Sequence, residues 1–414
     1  MVRSGALRRI PRQIFACVGA LALLLAPAQG AAPAAPAVAD PTVVLISLDG
    51  TTPEAGRRGM PTLGVIARRG AWAGRLVPVF PTDTFPNHVT LVTGVHPDRH
   101  GIVNNSFRDP VRGVYDRNAG PDWIEVEPLW SLLAARGIPS ASFHWVGSEG
   151  PWRSGRGPLY WKPFDASVGE REKVAQILAW LDAEPVAARP RLVTAWFHGA
   201  DHAGHLHGPD APEVWEALRE QDVALAELVA GLDHRGRFSS TTLLVVSDHG
   251  MERVRERADL AAALRSAGVQ ARVFGGGGFA TVEIPGGPEA VAKAALAARQ
   301  LGLEAWPRAE APPALRLDNP RFGDLVVLAP PGIAIGGGSL RGVHGYRPEL
   351  ASMSALFAAI GRGVPSGLAL AEVRSIDVAP TVLALLGVPV PEWMEGRPIA
   401  ELRAVSGGAS EGGR

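Results

Sequence analysis

Cysteine is all but missing from this chain: Cys17 is the single one among 414 residues. No disulfide framework, thiolate nucleophile or cysteine-ligated metal can be built on it, so any metal must be held by histidine and carboxylate oxygen. There is no block or stripe of basic residues, and 41 Lys and Arg balance 41 Asp and Glu. A face for duplex nucleic acid is therefore not expected. The N-terminal apolar run, Ile14–Ala26, is shorter than the ~20 residues that a membrane span needs. The sequence contains no internal repeat.

That run has a different meaning in context. Arg3, Arg8, Arg9 and Arg12 precede it, and the small-residue stretch APAQGAAPA follows. Together they read as a secretory signal over residues 1–28, cleaved near Ala28, with the mature protein periplasmic or secreted. Arg8-Arg9 matches a twin-arginine signal poorly because of Pro11. Cys17 stands too early for a lipid-anchored cysteine. The four arginines leave with the signal, so equal charge counts become an excess of four acidic residues. Residues 29–41 read as an Ala/Pro-rich linker and 404–414 as a disordered tail. The oligomeric state is not legible.

Between these ends, residues 42–403 read as one catalytic domain of the α/β class. TVVLISLDG (42–50) is apolar without alternation, which means burial on both faces, as in a parallel sheet. LVTAWFH (192–198), TTLLVVSDHG (241–250) and DLVVLAP (324–330) look alike. Pro212–Leu232 carries an amphipathic stripe, Val214, Leu218, Leu225, Val229 and Leu232. Alternating strands and helices predict a doubly wound, mostly parallel sheet with helices on both faces. Residues from about 252 to 340 differ in texture and suggest a small α+β insertion. Its GGGG run is followed by a strand pattern, so it reads as a turn and not as a phosphate cradle. A last helix is expected over Ile376–Leu386, ended by Gly387.

Polar residues gather just beyond the strand ends. Asp49 ends the first run; His198, Asp201, His202, His205 and His207 follow the second; Asp248-His249 ends the third. Ligands bind at that edge of open α/β sheets. Asp201-x-x-x-His205 reads as a loop, since Gly199, Gly204, Gly208 and Pro209 argue against a helix. His344 lies between two glycines. These oxygen and imidazole donors suit Zn²⁺, with Mn²⁺ or Fe²⁺ as alternatives, and two such ions can share a phosphate. In FPTDTFPNHVTLVTG, Pro86 fits the first position of a helix and Gly94 its end. Thr84 then sits just ahead of a helix N-terminus, where an anion is stabilised. A threonine there is ordinarily a cap; a neighbouring metal would turn it into a nucleophile.

SLDG (47–50), PTDTFPNHVTLVTGVHPDRHGIVNN (81–105), GADHAGHLHGP (199–209), VVSDHGM (245–251) and GVHGY (342–346) resemble the nucleotide pyrophosphatase/phosphodiesterase (type I phosphodiesterase) family of the alkaline phosphatase superfamily. The resemblance runs from about residue 42 to 398. It implies an alkaline phosphatase-like fold, two Zn²⁺ ions and a covalent threonyl intermediate. By it, Thr84 is the nucleophile. Asp49, Thr84, Asp248 and His249 would hold one ion, and Asp201, His205 and His344 the other. Asn105, in preference to Asn104, would hydrogen-bond a phosphate oxygen. His88, His100, His198, His202 and His207 would support the ligands.

The implied function is hydrolysis of nucleotide phosphodiester or pyrophosphate bonds. Phe85 adjoins the nucleophile and suits base stacking, with Tyr160, and after it Phe164, as the partner aromatic. Stacking tolerates any base, so base preference is not legible. Two alternatives remain: a lipid- or choline-phosphodiester hydrolase, which calls for a negatively charged pocket, and a non-catalytic metal-scaffolded binding protein.

Overall fold

A computed structural model describes residues 40–118 and 120–403. The expected signal, most of the linker and the expected tail lie outside the described residues.

Eight strands form the main sheet: β1 (Thr42–Leu48), β2 (Ala71–Val77), β3 (Ser140–Phe143), β4 (Tyr160–Lys162), β5 (Leu192–Phe197), β6 (Thr241–Val246), β7 (Phe357–Gly361) and β8 (Leu368–Arg374). Their spatial order is β8-β2-β7-β6-β1-β5-β3-β4. Only β7 runs against its neighbours. The unbroken apolar runs have the expected cause. In β1, Val43 and Leu45 enter one core while Val44, Ile46 and Leu48 enter the other, and β6 divides in the same way. Each face is covered by helices, so both phases of the strand must be apolar.

Helices bring chain back to the sheet between strands. The relevant ones are α1 (Thr84–Thr93), α2 (Gly199–His207), α3 (Pro212–His234), α4 (Gly287–Gln300) and α5 (Val378–Leu385). Here α1 starts two residues earlier than expected, so Pro86 is its third residue; Asp83 is the N-cap, and Gly94 closes it at φ 68. The last helix starts at Val378, after a short 3₁₀ turn over Ser375–Asp377.

Two expectations are corrected. The segment holding Asp201 and His205 is not a loop but helix α2. Gly204 serves packing: a Cβ there would come within 3.0 Å of the Met251 side chain. Leu325–Leu328, from DLVVLAP, is not in the parallel sheet. It lies in a separate four-stranded antiparallel sheet with Arg272–Gly276, Phe279–Glu283 and Glu304–Pro307. Leu325 and Val327 pack under α4, while Val326 and Leu328 enter another cluster. Burial on both faces makes an antiparallel strand read like a parallel one. In the GGGG run Gly275 and Gly276 end the strand Arg272–Gly276, and Gly277 and Gly278 make the turn to Phe279–Glu283.

Candidate active site

Strand ends and helix heads deliver the polar residues to one place. Asp49 follows β1, Asp248 and His249 follow β6, and α2 follows β5. Because β1 lies between β5 and β6, these three turns are neighbours. On α2 the i,i+4 spacing stacks Asp201 and His205 on one face. Asn87 fastens the turn ahead of α1. Its Nδ2 donates to the carbonyls of Val79, Pro81 and Asp83, and its Oδ1 accepts from Val79 N–H. Thr84 is thereby set at the head of a fully buried helix.

Thr84 Oγ1 lies 3.1 Å from His249 Nε2. That nitrogen lies 3.1 Å from Asp248 Oδ2 and 3.6 Å from Asp49 Oδ1. His205 Nε2 lies 3.3 Å from Asp201 Oδ2, and His344 Nε2 4.0 Å from Asp201 Oδ1. Donor atoms of Asp201, His205 and His344 fall within 4.8 Å of one another, as do those of Asp49, Asp201 and His249. All seven expected ligand positions therefore converge, and Asp201 stands between the two groups.

The outer hydrogen bonds leave the inner atoms bare. His205 Nδ1–H donates to Gly342 O, and His249 Nδ1–H to Gly250 O. His344 Nδ1 lies 2.7 Å from Asp83 Oδ1, and since a carboxylate only accepts, Nδ1 carries the proton. In each ring Nδ1 is the outward donor, so the neutral form of all three imidazoles turns an unprotonated Nε2 inward. Trp196 Nε1–H donates to Asp49 Oδ2, while Gly50 and His249 N–H donate to Asp248 Oδ1. Asp49 Oδ1, Asp201 Oδ1 and Asp248 Oδ2 are left buried without a hydrogen bond. Orphaned carboxylate oxygens facing bare imidazole nitrogens are costly without cations, and this donor set fits divalent ions. The backbone is shaped to the cluster: Gly50 has φ 65, and a Cβ there would meet Asp201 Oδ1 at 3.0 Å.

The protonation pattern carries the same charge problem. Burial, followed by the Asp248 and Asp201 carboxylates, pushes Asp49 well above the usual carboxylate range. Burial would also raise Asp201, but His205, joined by His344 and His249, outweighs it and holds that carboxyl low. Burial would lower His205, yet Asp201 lifts it to about 9. His249, wholly buried, is pushed down to about 4 despite Asp248.

A cavity of about 340 Å³ opens onto this cluster. Thr84, Phe85, Asn105, Phe164 and Trp196 line it, with His144, His198 and Arg117. Phe164 stacks on Trp196 with ring centres 5.0 Å apart. Asn105 Oδ1 accepts from Phe85 N–H, which leaves its Nδ2 as a free donor. Asn104 instead accepts from Asn105 N–H and is not among the lining residues. Tyr160 lies elsewhere, stacked on Trp180 within a sheet-face core. His88 sits beneath Thr84, bonded to its carbonyl, and His100 bonds Thr90; His207 is an outer residue near Glu213. A larger cleft of about 570 Å³ on the back of the ligand loops holds none of the converging side chains.

Three residues at the site were not singled out from sequence. Asp83 reads as a helix cap, but its carboxylate goes to His344. Trp196 reads as one more strand residue. His144 lies in a loop whose aromatic content suggests packing. For Asp83 alone a signal existed: a carboxylate immediately before a suspected nucleophile.

Comparison with known proteins agrees with this geometry. The sequence matches the family model of type I phosphodiesterase / nucleotide pyrophosphatase over residues 43–347. It is 39% identical over 218 residues to an uncharacterised pyrophosphatase/phosphodiesterase of Schizosaccharomyces pombe, covering 51% of this chain and 44% of that protein. It is 33% identical over 220 residues to ectonucleotide pyrophosphatase/phosphodiesterase family member 1 of Homo sapiens, covering 51% of this chain and 24% of that one. The chain thus spans less than half the length of these curated relatives. Among solved structures, murine ectonucleotide pyrophosphatase/phosphodiesterase 5 superposes with a TM-score of 0.76 at 26% identity, covering 84% of this chain and 96% of that one. An inactive threonine-to-alanine form of that murine protein, in complex with AMP, gives a TM-score of 0.78 at 25% identity, covering 85% and 96%. The order of strands, the converging ligand loops and the family match agree: the chain belongs to the type I phosphodiesterase / nucleotide pyrophosphatase family.

Proposed function

We propose that this protein is an exported, metal-dependent phosphodiesterase or nucleotide pyrophosphatase that works through a covalent threonyl intermediate. The observation that carries this reading is the position of Thr84 Oγ1, at the head of a buried helix and 3.1 Å from a bare histidine nitrogen, among orphaned carboxylate oxygens. Asp49, Thr84, Asp248 and His249 would hold one ion, and Asp201, His205 and His344 the other, with Zn²⁺ favoured and Mn²⁺ or Fe²⁺ as alternatives. Two divalent cations would supply the positive charge that lowers the threonine pKa and neutralises the substrate phosphate.

Thr84 Oγ1 attacks phosphorus in line, and the bond to the first leaving oxygen breaks. A threonyl phosphodiester results. Water then attacks the same phosphorus, the threonine hydroxyl is restored, and a phosphate monoester leaves. Asn105 Nδ2 donates to a phosphoryl oxygen as charge builds there. Phe85, Phe164, Trp196 and Val146 give the cavity an apolar wall suited to a nucleobase.

The choline alternative needs a carboxylate to hold the quaternary ammonium. Among the described residues, the carboxylates lining the cavity are Asp49 and Asp201, both in the proposed ligand cluster. The non-catalytic alternative fits poorly with a complete set of nucleophile and ligands. Support for a nucleotide comes from the AMP complex of the murine relative, and its inactive form lacks a threonine. Relatives described as ectonucleotide enzymes and venom phosphodiesterases support export. Among the described residues no helix is long and apolar enough to cross a membrane.

The test is a comparison of purified wild type and Thr84→Ala for bound metal and for hydrolysis of a nucleotide 5′-diester, a phosphocholine ester and a phosphate monoester. Nucleotide diester preference is expected. Thr84→Ala should lose at least about 10³-fold in kcat while keeping its metal. Monoester or phosphocholine preference, or a fully active Thr84→Ala, would refute the reading.

A further inference from the structure

Behind the aromatic wall of the cavity lies a buried charged pair that the proposed chemistry does not use. Lys173 is wholly buried. Its ammonium sits 2.7 Å from Glu170 Oε2, donates to Trp196 O at 2.9 Å and lies 3.4 Å from His198 Nδ1. An ammonium has only protons to give. His198 Nδ1 must therefore accept, and the imidazole proton sits on Nε2. Burial, with Lys173 beside it, pushes His198 down to about 4, so the ring is neutral. The ring lines the cavity, edge-on to Phe164 at 5.4 Å and to Trp196 at 6.1 Å.

His144, which lines the same cavity, repeats the pattern. Its Nε2 accepts from Asp165 N–H, so its Nδ1 carries the proton, and that N–H has no acceptor among the described residues. Its backbone is left-handed at φ 63, a conformation unfavourable for a non-glycine residue. Arg117, also left-handed at φ 42, adds a guanidinium to the cavity lining. Away from the ion ligands, the polar side chains whose protonation is fixed by their partners are therefore donors.

We propose that Lys173, held by Glu170, is a positioning residue that locks His198 as an Nε2–H donor, and that this donor selects a nucleobase edge presenting a carbonyl oxygen, a 6-oxopurine, over a 6-aminopurine. The inference rests on the nucleotide reading above. A 6-oxo group takes the proton. A 6-amino group sets N–H against N–H and leaves a buried donor unpaired, at a cost corresponding to roughly ten-fold in kcat/KM.

The experiment measures kcat/KM on the 4-nitrophenyl esters of inosine 5′-phosphate and adenosine 5′-phosphate, and on bis(4-nitrophenyl) phosphate, which has no base. Wild type is expected to prefer the inosine ester by about ten-fold. His198→Phe and Lys173→Met should bring that ratio toward one. His198→Gln, whose amide both donates and accepts, should retain part of it. If Lys173→Met does not fold, the two His198 variants decide. A wild-type ratio at or below one, or a ratio untouched in His198→Phe, overturns the assignment of Lys173 and His198. A wild type that cleaves the base-free diester as well as both nucleotide esters overturns the nucleotide reading itself, so the two failures are distinguishable.

Discussion

Asp83 shows how one side chain can be read correctly by type and wrongly by role. An aspartate before a helix is an ordinary cap, and it is the N-cap of α1, yet it makes no capping bond. Its carboxylate instead holds His344 Nδ1 at 2.7 Å, which turns Nε2 toward Asp201. Carboxylates in this position raise ligand basicity and fix ring orientation. Asp83→Asn should weaken metal binding by about 10–100-fold, read by chelator competition, with secondary structure preserved. Unchanged affinity would mean that His344 is oriented by something else. The residues carrying the metal pattern were legible because their types are chemically restrictive: without cysteine, only histidine and carboxylate remain as ligands. The aromatic wall was not. Tyr160 and Phe164 stand four positions apart, and only strand pairing places Tyr160 in the sheet and Phe164 over Trp196.

Elements were legible where one periodicity ruled. Strands β1, β5 and β6 and helix α3 were plain from burial on both faces or from an amphipathic stripe. Helix α2 was hidden by its glycines, which propensity counts against and of which close packing requires Gly204. Leu325–Leu328 was misplaced because burial pattern does not encode strand direction. Its antiparallel sheet is tied to the rest by the apolar cluster that Phe279, Val326 and Leu328 share with Phe80 and Phe85, and beside it by Arg321. This guanidinium, 3% exposed, pairs with Asp109 at 2.7 Å and Glu125 at 2.9 Å, and donates to the carbonyls of Gly101 and Trp123. Arg321→Met leaves Asp109 buried without its partner and should destabilise the fold by about 3–5 kcal/mol in denaturant unfolding. A loss under 1 kcal/mol would show that the clamp is dispensable.

The connection after α1 carries a pH-sensitive support. Ile102 N–H donates to His100 Nδ1, so the proton is on Nε2 and goes to Thr90 Oγ1, whose own hydroxyl donates to Val95 O. Burial, and then His96, push His100 down to about 3 from an ordinary 6.5. The unfolded chain therefore binds a proton before the folded one does as pH falls. This contribution is complete above pH ~6.5 and lost progressively toward pH ~3. In His100→Gln the slope of unfolding free energy against pH in that window should be shallower than in wild type. Identical slopes would contradict the buried neutral assignment.

The molecule as a unit brings the seven proposed ligand positions, contributed by remote segments, together at the carboxyl edge of one sheet. Parallel order is what allows this: neighbouring strands that run the same way end on the same side, and each ends in a turn that offers side chains. The family motifs made that edge readable in advance. The unpaired inner atoms, most of them set by an outer hydrogen bond on the same side chain, were not readable, because they depend on contacts between residues up to 261 positions apart. The proposed chemistry then reduces to whether Thr84 or water attacks phosphorus first. One experiment separates the two: hydrolysis of a single diastereomer of a chiral nucleotide phosphorothioate diester in isotopically labelled water. Attack by threonine and then by water inverts phosphorus twice, so overall retention of configuration is expected. Net inversion would mean a single direct displacement, and no threonyl intermediate.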